Sequence, residues 1–567
     1  MILDIHDRAA LQAAIRDHDC ISFDIFDTLI MRKTLTPEDV FGLVADKLAA
    51  RQHPLADSFI ERRNRAILEN VIPNPNLSQI YDQFARDAGL SVEEVRPLME
   101  LELQTEREVL VPRNAMVALY REALALGKTV CLITDMYLPG SVLEPLLQGM
   151  GITGYARLMV SCDCRTLKSE TLFSLYKEAF PSTSYLHIGD NPRSDIACAD
   201  ANGLDCVQIP SALTLLRESR LRAVEADAAT LAQRTVLGHF LARYYNDPFA
   251  GPAPDEVSWS QAALLVLPGV VYSFLSGLLD CVAENGYDRV LFAARDGFLL
   301  QKLYNELKPA EAAPGIYFYT SRRAVANVDL TDDHSLLWLA NLPYAYPKNE
   351  LLQKVFFLPD AVYDPSRSLD ENVLAYREPI LQRSRALGDA YRRYAAGLDL
   401  AGHRLLFVDL VSSGTCQMYL ERILSLPLEG YYLCKVKTEE AGKEALHCRA
   451  LYPNDTLGQI SYAFYTIYHL FEYVLTSDEP SLLCFSEEGT PVFAPETRTP
   501  EELRSLCSLQ QTLAEEVRSL FGLCGRCDVG CAAFADRLIA AFLADENAIT
   551  RHSFTLTDDW MGQRVTD

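Results

Sequence analysis

The stretch Ile21-Ser22-Phe23-Asp24-Ile25-Phe26-Asp27-Thr28-Leu29-Ile30 decides how the first part of this chain folds. An apolar run ends in an aspartate, and a Thr-Leu pair follows it. The pattern predicts a short buried strand with a carboxylate at its carboxyl end, the edge where open α/β sheets bind ligands. A carboxylate placed there is suited to attack phosphorus and to carry the phosphoryl group covalently. Alone, the pattern more often reads as a turn or a helix cap.

Two more short apolar runs, 129–133 and 185–188, read as buried parallel strands alongside 20–23. The first runs into Thr134-Asp135-Met136-Tyr137, and the second into Gly189-Asp190-Asn191-Pro192-Arg193-Ser194-Asp195. Between them, Thr166-Leu167-Lys168-Ser169-Glu170 sets a lysine at the opening of a helical stretch. Phosphoryl transfer needs positioning and charge neutralisation more than covalent chemistry. Asp24 is expected to attack, with the Thr134 hydroxyl and Lys168 ammonium gripping the phosphoryl oxygens. Mg²⁺ takes oxygen ligands and keeps several waters, so one or two carboxylates suffice. The expected metal set is Asp24, Asp190 and the carbonyl of Phe26, with Asp195 as a further ligand or just behind. Thr28, Arg32, Asp135 and Asn191 are expected phosphate or substrate contacts, Arg32 because it closely follows the first strand.

The four segments, in this order, resemble the haloacid dehalogenase superfamily of aspartate-nucleophile phosphatases. The resemblance covers about residues 1–225. It implies a Rossmann-like α/β core, and it identifies the helical insertion between the first two strands as a cap, about 33–125. Helices are expected there at 37–51, 57–68, 77–87 and 92–110. Cap contacts to substrate are expected from Arg62, Arg63, Arg65, Glu102 and Glu106; the competing reading is a solvated charged face. The stretches "SFDIFDTL", "DMYLP" and "HIGDN" resemble a large multidomain branch of predicted hydrolases associated with surface-polysaccharide pathways. That implies a small phosphorylated metabolite, a sugar phosphate, as substrate.

One position departs from the superfamily. Most of its phosphatases carry an aspartate two residues after the nucleophile, where it protonates the leaving group; here Phe26 stands there. Asp27 follows, and on an extended segment its side chain would point the other way. General acid–base help is worth about 10²–10⁴-fold. Three readings compete: a phosphatase for good leaving groups such as acyl or anomeric phosphates, a phosphotransferase whose acceptor is bound by the second domain, and a dehalogenase, whose members also carry an aromatic residue here. Asp190 and Asp195 favour Mg²⁺ and phosphate chemistry. A non-catalytic binding or scaffold protein with a degraded site is the reading outside enzymes.

The chain has 567 residues, 49% of them apolar and 23% charged, enough for roughly two to four domains. A net charge of −25 argues against general binding to nucleic acid or anionic membranes. No basic region precedes an apolar core at the N-terminus, so no signal peptide is read. Fifteen scattered cysteines favour reduced thiols, and the expected location is the cytoplasm. The apolar segment 262–282 contains Pro268 and Asp280 and reads as a buried helix rather than a membrane span. Cys524, Cys527 and Cys531 form the one cysteine cluster, read either as a metal site or as buried helical cysteines.

A helical segment and Pro-rich linker, 226–256, precede a second α/β domain at 257–490, and a helical region, 491–567, closes the chain. Strands are expected at 289–293, 316–319, 405–411 and 430–436. Polar turns follow three of them and predict a second site for a sugar or nucleotide phosphate. They carry Arg295 and Asp296, then Ser321 and Arg322, then Asp409 with Ser413-Gly414-Thr415. The last turn faintly resembles the ribose-phosphate loop of phosphoribosyltransferases, without its adjacent acidic pair. A purely structural second domain is the alternative.

Overall fold

The computed structural model describes residues 1–567 except 4, 6, 255–256, 343, 345, 438–442, 444, 454–459, 546–548, 550–553, 559–561 and 567. The chain divides into two compact units, Met1–Val257 with Gly522–Gly525, and Ser258–Phe521 with Arg526–Asp567. Both are α/β with parallel five-stranded sheets.

In the first unit the sheet is built from β1 (Cys20–Phe23), β2 (Thr129–Thr134), β3 (Arg157–Val160), β4 (Tyr185–Gly189) and β5 (Asp205–Gln208), in the order β3-β2-β1-β4-β5. β1 and β4 are buried along their whole length, as central parallel strands require. The edge strands β3 and β5 mix polar and apolar residues, and the apolar-run signal did not find them. Connections leave β1 and β4 in opposite directions, so their carboxyl ends flank a crevice.

The insertion leaves and returns through two short antiparallel strands, with Ile30 paired to Pro112 and Arg32 to Leu110. Between them lie four helices: α1 (Asp39–Ala50), α2 (Phe59–Leu68), α3 (Leu77–Ala88) and α4 (Val92–Val109). Asn76 with Gln79 and Ser91 with Glu94 form capping boxes that start α3 and α4, each worth about 1 kcal/mol. The helix Asn114–Ala125 lies beyond the ribbon. It packs on the sheet, with Tyr120 edge-on to Phe23 at 5.9 Å, so the insertion ends near 110 rather than 125. A parallel pair needs a crossover helix, and Asn114–Ala125 supplies it.

The second unit holds β6 (Arg289–Ala293), β7 (Gly315–Phe318), β8 (Leu405–Ser412), β9 (Leu428–Lys435) and β10 (Cys448–Pro453), in the order β10-β9-β8-β6-β7. Helices Pro500–Cys524 and Val529–Leu543 follow, and the C-terminal stretch adds an antiparallel pair, Phe554–Asp558 with Gly562–Thr566, to the helical reading of 491–567. Among the described residues one helix, Trp259–Asn285, is long and apolar enough to cross a membrane; 89% of its most apolar window is buried inside the protein.

Candidate active site

Register brings the first site together. Phe23 lies level with Leu132 of β2 and Ile188 of β4. Asp24, one residue on, donates its backbone N–H to the Ile188 carbonyl at 2.8 Å. Asp24 therefore leaves the sheet beside Thr134, the last residue of β2, and Asp190, the first after β4. Both Asp24 and Thr134 are buried.

Lys168 reaches this point from the loop after β3. Its Nζ lies 2.5 Å from Asp24 Oδ1 and 2.5 Å from Asp195 Oδ1. Asp195 sits on the helical turn Pro192–Ala197, which folds back against β4. Its Oδ2 accepts the Asn191 N–H at 2.9 Å, and its Oδ1 lies 3.4 Å from His187 Nε2, whose Nδ1 meets Ser22 Oγ at 2.9 Å. Gly189 makes this return possible, because a Cβ there would lie 2.4 Å from Asp195 Cγ. Gly189→Ala is therefore expected to displace Asp195 and destabilise the unit by about 1–3 kcal/mol, which thermal melting checks.

The charges are unevenly matched. Burial first, and then the Asp195 charge, raise the Asp24 carboxyl above its ordinary range against the pull of Lys168. Asp190 is raised further, by burial and then by Asp24, Asp27 and Asp195. Burial would raise Asp195 too, but Lys168 and His187 outweigh it and hold it low. Lys168 overcomes its own burial through Asp24 and Asp195 and stays protonated. Carboxylate oxygens of Asp24, Asp190 and Asp195 converge to within 4.8 Å, the one such group of potential metal ligands among the described residues. An all-oxygen set carrying more negative charge than one ammonium balances fits Mg²⁺. Cys524, Cys527 and Cys531 are not among the groups of potential metal ligands found in the described residues.

Several expected contacts do other work. Asp135 accepts the backbone N–H of Lys168 at 3.0 Å and so positions the lysine loop. The Asn191 side chain accepts from the N–H groups of Arg193 and Ser194 at 2.9 and 3.1 Å and caps the Asp195 turn. Arg32 is paired with Glu106 and stacks over the Phe26 ring at 4.5 Å, so its charge is already used. Thr28 Oγ1 lies 3.5 Å from Asp190 Oδ1, at the rim of the carboxylate group. The chain past Asp24 is not extended: Leu29 and Ile30 both donate to the Ile25 carbonyl, and Asp27 is left-handed at φ 57°. The alternation argument for Asp27 therefore fails. Its carboxyl is raised by burial, opposed by Arg32 and Arg113, and its charge acts on Asp190.

Arg113 was not legible in the sequence. Fully buried, it donates to the carbonyls of Asp27 at 2.5 Å and Pro210 at 3.0 Å, clamping the turn after Asp24. Its partners are backbone atoms, which no residue pattern announces.

In the insertion, Arg65 is exposed and pairs with Glu61 one turn back, as the solvated-face reading requires. Arg62 Nη1 donates to the Asp87 carbonyl at 3.2 Å. Arg63 and Glu102 meet neither expectation. They are 0% and 1% exposed and form a two-pronged pair at 2.7 and 2.8 Å, with the Tyr81 hydroxyl on Glu102 at 2.9 Å.

No protein-family model matches the chain, and no curated protein sequence does. Among solved structures, part of the chain is similar to YfnB from Bacillus subtilis, described as a HAD-hydrolase and bound to magnesium. Identity is 14% over 36% of this chain and 99% of that one, with a TM-score of 0.25. L-2-haloacid dehalogenase from Xanthobacter autotrophicus matches at 17% identity over 38% of this chain and 86% of that one, with a TM-score of 0.27. The chemistry of the site is therefore read from its own residues.

Proposed function

We propose that the first unit is a Mg²⁺-dependent phosphohydrolase of haloacid dehalogenase type, acting through an aspartyl-phosphate on a small phosphorylated metabolite, a sugar phosphate. The observation that carries this reading is the convergence of Asp24, Lys168, Asp190 and Asp195 at the crevice between β1 and β4. Asp24 Oδ would attack phosphorus as the ester P–O bond breaks, and water would then cleave the acyl phosphate and free Asp24. Lys168, held between Asp24 and Asp195, offsets the charge that builds on the phosphoryl oxygens. The Thr134 hydroxyl, at the end of β2, would serve as a second donor. Asp24 and Asp190 would hold Mg²⁺ with the Phe26 carbonyl, while Asp195, with both oxygens engaged, keeps Lys168 and the turn in place. When bound, the ion neutralises phosphate charge.

Phe26 narrows the substrate. Its ring, stacked with Arg32, offers no proton to a leaving group. A substrate whose leaving group needs little acid help, an anomeric or acyl phosphate, suits such a site. The same observation favours a second reading, transfer of the phosphoryl group to an acceptor other than water. The test is phosphate release from a panel of phosphorylated metabolites with Mg²⁺ and with chelator. Release is expected from anomeric phosphates, lost in chelator and restored by added Mg²⁺. Release indifferent to chelator would sink the Mg²⁺ assignment, and label passed to an added sugar instead of water would select the transferase.

A further inference from the structure

The second sheet has its own crevice. Connections leave β6 toward β7 and β8 toward β9, so the reversal of strand order falls between β6 and β8. These strands pair only as far as Val408 and Phe292, whereas β8 runs on beside β9 to Ser412. That divergence opens a cavity of about 310 Å³ at the carboxyl ends of β6, β7 and β8.

The turns read from the sequence as a second site meet there: Arg295 and Asp296 after β6, Thr320 to Arg322 after β7, and Asp409 to Thr415 at the end of β8. Ser321 is the exception, because its hydroxyl caps the helix Arg322–Ala326. Thr320 lines the cavity as well, with its Oγ1 buried next to the Tyr391 hydroxyl.

The Ser412–Thr415 loop is arranged for an anion. It opens the ten-residue helix Thr415–Leu424, whose first residues lack a side-chain cap. Lys443 Nζ bonds Ser413 Oγ at 2.8 Å and Thr415 Oγ1 at 2.7 Å, and Lys435 Nζ bonds the Ser413 carbonyl. Gly414 lets the ammonium approach: at φ 90°, a Cβ there would lie 2.6 Å from Lys435 Nζ. Two lysines thus stand under the Ser413 and Thr415 hydroxyls at a helix start, where Ser412 Oγ accepts the Gly414 N–H at 3.0 Å. The rest of the lining differs in character. Asp296, Asp409 and Glu472 present carboxylates, which accept from sugar hydroxyls, and the parallel rings of Tyr465 and Tyr468 stack with centroids 4.8 Å apart.

We propose that this cavity binds a phosphorylated sugar, its phosphate on the Ser412–Thr415 loop and its hydroxyls toward the carboxylates. The inference stands apart from the first site's chemistry.

The test uses the full chain carrying Asp24→Asn, so that turnover does not consume the probe. Calorimetry follows glucose 1-phosphate, ribose 5-phosphate, inorganic phosphate and glucose. The phosphorylated sugars are expected to bind, inorganic phosphate to compete, and glucose to fail. Ser413→Ala with Thr415→Val should weaken binding about tenfold or more, and the milder Thr320→Val about threefold. Folding of each variant is checked by melting. Three results would overturn the proposal: no phosphorylated sugar binds, glucose binds as tightly as its phosphates, or affinity is unchanged in both variants, which would place the ligand at the first site.

Discussion

Asp24→Asn is expected to lower phosphate release by about 10⁴–10⁶-fold while leaving the protein folded. The amide keeps the shape of the carboxylate but cannot attack phosphorus. Its effect on stability has a predictable sign. The Asp24 carboxyl is raised, by burial first, so the folded state holds this proton more tightly than the unfolded chain does. Such a group loses stabilising effect as pH climbs from the ordinary carboxylate range through its raised value. An uncharged asparagine avoids that loss. The metal-free variant at pH 7 should therefore melt at or above the wild-type midpoint. A variant that is inactive and also melts well below wild type would make Asp24 a scaffold residue and leave the nucleophile unassigned.

Glu102→Ala should produce the largest loss of stability in the first unit, about 3–5 kcal/mol. Arg63 would be left charged, fully buried and without its carboxylate partner, and the Tyr81 hydroxyl would lose its acceptor. The guanidinium lies over the rings of Phe41, Tyr81 and Tyr137 at 5.0, 5.7 and 4.9 Å, and these contacts return only part of the lost interaction. The melting midpoint of that unit should fall by roughly 6–20 °C. Replacing both partners, Arg63→Met with Glu102→Leu, should recover most of it, because the penalty comes from the stranded charge. A single-variant loss below about 1 kcal/mol would mean that the pair is solvated like a surface bridge.

The contrast between these residues shows what was legible in the chain. Asp24, Thr134, Lys168, Asp190 and Asp195 were all named from sequence; Asp24, Thr134 and Asp190 stand at the ends of short apolar strands, while Lys168 and Asp195 lie on turns that return to them. A parallel sheet delivers every strand end to one edge. The central strands were found for the same reason: burial on both faces writes itself as an unbroken apolar run, as at Cys20–Phe23 and Tyr185–Gly189. Edge strands such as Arg157–Val160, open to solvent at one end, carry no such mark.

Tertiary structure alone decided which polar side chains converge at the strand ends and which hold the scaffold. Nothing local distinguishes Arg63 from Arg65, yet one is sealed against Glu102 and the other lies in solvent beside Glu61. Asp135, Asn191 and Arg32 stand in the motif neighbourhood, but their partners are the Lys168 backbone, the Asp195 turn and Glu106. Asp27 turned left-handed under the clamp of Arg113, from a segment distant in sequence. Residue type and spacing determine which element a side chain starts from. Its hydrogen-bond partner is determined by register and packing between segments far apart in the chain.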